Sequence, residues 1–187
     1  LLSMKGHSRI MALDINNEKV LWFIDRATQL QHDVDILKNS KNKIDISIFD
    51  NNTRMHGQSY YDYKNYGNRV ALFSNLPINK DKEPFAISDR DKYQEFNLNY
   101  FQFNSLKKEL RPITKNEGLV DTILENNSLM IEETNYSRLI EVELDTKKIL
   151  WQYYNNSDIS IPFMMNWSRR ISDLPKNLDM DKLNKCK

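Results

Sequence analysis

Hydrophobic positions along this chain mostly recur every second residue. In Ile44-Asp45-Ile46-Ser47-Ile48-Phe49 three isoleucines alternate with polar residues, the period-two pattern of a half-buried strand. Gln31-His32-Asp33-Val34-Asp35-Ile36-Leu37 precedes it across the basic, Asn-rich link Lys38–Lys43, and the two segments predict a hairpin. Further strands are predicted at Leu1–Ser3, Arg9–Ile15, Lys19–Ile24, Arg69–Phe73, Leu98–Phe103, Val120–Leu124 and Leu129–Asn135. Residues 53–68 are rich in Tyr, Asn and Gly and read as a loop. Residues 77–97 are charged, contain Pro77 and Pro84, lack clear periodicity and read as a surface excursion.

The last third repeats the first. Ser8–Trp22 can be laid without a gap on Ser137–Trp151, with Ser, Arg, Lys, Leu and Trp identical and most other pairs alike in polarity. Val120–Asn135 likewise echoes the hairpin from Val34 to Asn52. A unit of four short strands ending in a Trp thus occurs at least twice. Recurring four-stranded units predict an all-β, partial β-propeller, since each blade buries its faces only against neighbours. The 187 residues hold about three to four blades of ~40–50 residues each. That is too few for a ring, and the chain opens on Leu1 already in strand-like sequence. It therefore reads as one incomplete propeller domain, residues 1–187, cut from a longer polypeptide.

Composition narrows the function. Lys+Arg 27 against Asp+Glu 26 leaves a formal charge of +1, with no basic field for nucleic acid. No apolar run approaches the roughly 20 residues that span a bilayer, so no membrane insertion is expected. The single Cys186 forms no internal disulfide, and the three histidines with one cysteine show no metal-ligand spacing.

Ser3-Met4-Lys5, Ile10 to Trp22, Gln31-His32-Asp33, Phe49-Asp50-Asn51-Asn52 and Ser137-Arg138 to Trp151 together resemble the C-terminal half of the arylsulfotransferase (aryl-sulfate sulfotransferase) family, as a divergent member. The resemblance implies a six-bladed, periplasmic or secreted propeller that works without a nucleotide or other cofactor. It implies transfer of a sulfuryl group from a phenolic sulfate donor to a phenol acceptor through a transiently sulfated histidine, and His32 matches that nucleophile. Where the family has an Arg in a Ser-x-Arg motif, this chain has Lys5, which keeps the charge but loses the planar fork that grips two sulfate oxygens.

The residues themselves admit two readings. Neutral imidazole is a competent nucleophile near neutral pH, and sulfuryl transfer, like phosphoryl transfer, needs cations or donors around the equatorial oxygens. Lys5 and His7 are the candidates for that role, with Glu117 and Arg169 as further candidate substrate contacts. Glu117-Gly118 stands at the place in the repeat that His32 holds in the earlier blade. The rival reading is a non-catalytic propeller binding a small ligand or protein at its channel mouth, in which His32-Asp33 merely closes a blade. Asp33 faces away from His32 in a regular strand, and only a kink would bring it round. Arg9 and Arg138, matched within the repeat, read as structural ties to the next blade; Trp22 and Trp151 read as core plugs.

Overall fold

The computed structural model describes residues 1–52, 67–78, 84–88, 95–103, 106–107, 111–112, 114, 117–154 and 168, with the backbone alone of 54–56 and 59–61. Among them the regular elements are strands and three short 3-10 turns, so the all-β expectation holds.

Three four-stranded sheets follow one another along the chain. The first joins β1 (Leu2–Met4), β2 (Arg9–Asp14) and β3 (Lys19–Asp25) as an antiparallel meander. The second orders β4 (His32–Asn39), β5 (Lys43–Asp50), β8 (Arg69–Pro77) and β10 (Asn99–Gln102). The third is the meander β11 (Leu119–Ile123), β12 (Ser128–Glu133), β13 (Arg138–Glu143) and β14 (Ile149–Tyr154).

Two segments read as irregular carry strands. Between β5 and β8 lies a small hairpin of β6 (Arg54–His56) and β7 (Ser59–Tyr61). Within the 77–97 excursion, β9 (Phe85–Ile87) pairs in parallel with β3 as the fourth strand of the first sheet. Three residues after a proline are too few to show a period, so burial of Ile87 had no signature in the sequence.

The second sheet is covered on both faces, and this explains why its strand β5 is buried without a break from Ile46 to Asp50. Ile46, Ile48, Ala71 and Phe73 pack with Ile10, Leu21, Trp22 and Ile24 of the first sheet. On the other side Phe49, Val70 and Phe101 pack with Val120, Leu129, Ile131 and Ile140 of the third. The alternation of β5 follows from this split, because successive side chains point to opposite neighbours.

The repeat seen in the sequence is present in the backbone at an offset of 129 residues. Ser8 and Ser137 both take left-handed φ (49° and 53°), as do Glu18 and Lys147 (52° and 57°). A register shift interrupts β2·β3 between Ala12 and Leu13 and β13·β14 between Glu141 and Val142, the same repeat positions.

The structure adds a third occurrence that the insertion before β8 hides from alignment. Arg9, Arg69 and Arg138 each open the third-strand equivalent of their sheet (β2, β8, β13). Each pairs with an acid: Arg9 with Asp25 and Arg69 with Asp50, both at 2.6 Å, and Arg138 with Glu133. Each also lies over an aromatic ring of the adjoining outer strand, Phe23, Tyr100 or Tyr154. The arginines are structural, as expected, but their acids and rings belong to their own sheets and not to the next.

Candidate functional site

The end of the sheets where β4 begins is built around Gln31. This fully buried side chain donates through Nε2 to the Arg9 carbonyl (3.0 Å) and Ser3 Oγ (3.4 Å), and accepts from Thr28 Oγ1 (3.1 Å). It thereby fixes the start of β4 to the turn where β1 passes into β2. His32 follows directly, opposite Phe49 of β5.

Asp33 is kinked as a carboxylate near His32 would require, with φ 44° and a register shift between His32 and Val34. Its Oδ2, however, accepts the backbone N–H of Val120 at 2.9 Å. The kink therefore ties the second sheet's first strand to the third sheet's first strand.

Lys5 sits half-buried in the 3-10 turn Lys5–His7 that follows β1. Burial holds its ammonium below the ordinary value of 10.5, and the Glu117 carboxylate pushes the other way. Glu117 itself is held by its backbone. Buried Asn51 donates through Nδ2 to the carbonyls of Thr114 (3.1 Å) and Glu117 (3.4 Å), and Asn68 clasps Thr114 from both sides. The next residue, Gly118, lies against the Phe49 ring: a Cβ there would stand 2.8 Å from Thr114 Cγ2 and closer still to Phe49. Only glycine admits that approach.

Lys5 and Glu117 lie within electrostatic reach of each other, and His32 opens β4 directly after Gln31, which ties that strand to the β1–β2 turn. His7 is exposed in the same turn as Lys5. Arg169 lies outside the described residues, as do the side chains of His56 and the tyrosines between 60 and 66. The register refines one expectation. Phe49 and Glu132 each precede the acid paired with the sheet's arginine, and they face His32 and Leu119. The counterpart of His32 is therefore Leu119, two residues beyond Glu117. An apolar residue in that position shows that strand geometry does not demand a histidine.

No family model, curated protein or solved structure matches the chain. The likeness to arylsulfotransferases therefore stands on the residues quoted above alone. Among the described residues no cluster of three His, Cys, Asp or Glu is placed to hold a metal, and no helix is long and apolar enough to cross a membrane. A cleft of about 350 Å³ lies at the opposite end, between Asp14, Ile15, Asn39 and Ile44, away from Lys5 and His32.

Chemically, this end offers an imidazole, an ammonium that gives up its proton more readily than usual, and a carboxylate. Of the buried amides that hold this end in place, Gln31 and Asn51 stand in the quoted motifs, whereas Asn68 left no mark in a sequence where Asn is abundant throughout. Lys5 gives a direct test. With its folded pKa below 10.5, the unfolded chain holds more protons between the lowered value and 10.5, so stability rises with pH across that window. Urea midpoints in a pH series are expected to show this small rise in the wild type and not in Lys5→Met.

Proposed function

We propose that the three sheets are blades of a β-propeller, and that the end carrying Lys5, His32 and Glu117 is a sulfuryl-transfer site for phenolic sulfate esters in an exported protein. What supports this reading is that Lys5, within electrostatic reach of Glu117, follows β1, to which Gln31, the neighbour of His32, is hydrogen-bonded. In the first step an imidazole nitrogen of His32 forms a bond to sulfur as the sulfur–oxygen bond to the donor phenol breaks, and the phenolate leaves to take a proton from water. Lys5 balances charge on the sulfuryl oxygens. In the second step the acceptor phenol loses its proton to Glu117, its oxygen bonds to sulfur, and the nitrogen–sulfur bond breaks, restoring His32. Glu117 then returns its proton to solvent.

The test is release of p-nitrophenol from p-nitrophenyl sulfate in the presence of phenol. His32→Ala is expected to lower the rate at least about 100-fold, in keeping with loss of a nucleophile. The wild-type peptide containing His32 is expected to gain one SO3 when the acceptor is withheld. Release that survives His32→Ala removes the histidine from this role.

One observation favours a second reading, a non-catalytic ligand-binding propeller. Asp33 is engaged with Val120, so the one carboxylate next to His32 has a structural task. That reading predicts saturable binding of an aryl sulfate with no turnover and no modified peptide.

A further inference from the structure

The end of the first two sheets farthest from His32 is formed by two turns, residues 15–18 between β2 and β3 and residues 40–42 between β4 and β5. The cleft of about 350 Å³ opens between them. Aliphatic side chains crowd its rim. Leu1, Leu13, Ile15 and Ile36 all line it and are all exposed, Ile36 by 51 % and Ile15, at the head of its turn, by 85 %. A single exposed isoleucine is ordinary, but four exposed aliphatics around one cleft form a patch that calls for a partner.

Lysines flank the patch. Lys19, Lys38, Lys41 and Lys43 are exposed in and beside the two turns. The second turn is firmly held: Ser40 donates its N–H and its Oγ to the Lys43 carbonyl, both at 2.9 Å. Ile78, which also lines the cleft, donates its N–H to the Asn42 carbonyl at 2.8 Å. The nearby carboxylates are largely turned to other tasks. Asp14 is buried and accepts from the Asn16 amide (3.2 Å) and Asn17 Nδ2 (2.8 Å), while Asp45 accepts the Asn75 amide at 2.8 Å. Glu18 is the one exposed carboxylate from Leu13 to Lys19 and from Ile36 to Asp45, against four exposed lysines. This end is therefore apolar and basic together.

We propose that this end rests on the surface of an anionic lipid bilayer, with Ile15 and Ile36 entering the boundary between headgroups and acyl chains. The four lysines face the acidic headgroups, and no segment crosses the membrane. Charge complementarity selects this partner, and so does the residue chemistry. Anchors of protein interfaces are mostly Trp, Tyr and Arg, and neither stretch contains one. Lysine, a point charge on a flexible stem, suits a field of mobile headgroups with no fixed geometry to match. Docked in this way, the chain turns the His32 end away from the bilayer.

The probe is a vesicle of phosphatidylcholine with about 30 % phosphatidylserine, sedimented with the 187-residue chain and compared with pure phosphatidylcholine. Binding is expected on the anionic vesicles alone, and is expected to weaken at least about tenfold in high salt. Lys38→Gln, Lys41→Gln and Lys43→Gln together are expected to weaken it at least about 20-fold. Ile15→Ser with Ile36→Ser is expected to weaken it about tenfold, and both sets should keep the wild-type thermal midpoint. An environment-sensitive dye on Ile15→Cys, in a Cys186→Ser background, is expected to shift to the blue on anionic vesicles. The same dye on His7→Cys, at the other end, is not. Absence of binding, equal binding to neutral vesicles, or binding untouched by both sets of substitutions overturns the proposal. So does a dye response at position 7 and not at 15, or equal retention on polyglutamate, which would make an acidic polypeptide the occupant.

Discussion

Trp22→Ala is expected to destabilise the protein by about 3–5 kcal/mol, while the same change at its repeat twin, Trp151→Ala, is expected to cost about 1–2 kcal/mol. Trp22 is fully buried in the core shared by the first and second sheets, and its Nε1 donates to the Pro77 carbonyl at 2.9 Å. Truncation leaves a cavity and strands that carbonyl. Trp151 is 41 % exposed, and its main tie is a hydrogen bond from Nε1 to Glu141, which also accepts from Ser128 Oγ. Chemical denaturation of the two variants, read as the shift in midpoint at constant slope, checks the difference. Equal losses would show that the two sheets are packed alike, contrary to the burial described. Trp22→Phe separates the terms, because it keeps most of the volume and loses only the donor.

Asp50→Ala is expected to cost about 3–5 kcal/mol, the scale of breaking a buried ion pair from one side. The Asp50 carboxylate is fully buried and receives Arg69 Nε at 2.6 Å, the Gln29 amide at 2.7 Å and the Asn52 amide at 2.9 Å. Removing it leaves three donors without this acceptor. Burial nevertheless pushes the Asp50 carboxyl up, with Arg69 and the two amides opposing the shift. The folded protein therefore holds the proton more readily than the unfolded chain above 3.8, and this group's contribution falls as pH rises towards its folded pKa. Asp50→Asn keeps an acceptor oxygen without the buried charge. It is expected to lose less than Asp50→Ala and to flatten that part of the pH profile.

The fold class was legible because period-two alternation survives wherever a sheet has two different faces, as in Ile44, Ile46 and Ile48. The repeat was legible where no insertion intervenes, from Ser8 to Trp22 and from Ser137 to Trp151. It was hidden at Arg69, where the stretch containing β6 and β7 separates that arginine from Asp50. Trp151 was misread as a core plug because sequence similarity reports a shared backbone, whereas burial depends on what packs against the strand's face, which for Trp22 is the second sheet. At the candidate site, His32 and Lys5 were legible as residue types. The turning of Asp33 towards Val120 was not, because a single left-handed residue leaves no pattern. The meeting of Lys5 with Glu117 spans most of three sheets and exists only once those sheets have packed.

The parallel pairing of β9 with β3 also orders events during synthesis. Ile87 leaves the ribosome after the whole of β4, β5 and β8, so the first sheet cannot close its outer edge until the second is largely made. At about 5–20 residues per second, β3 stands uncovered for several seconds of translation. During that interval its outer edge is open to other nascent chains. Completion of the first sheet is thus a late, interlocking step: the chain passes from β8 of the second sheet back to the first, returns to the second with β10, and only then goes on to the third.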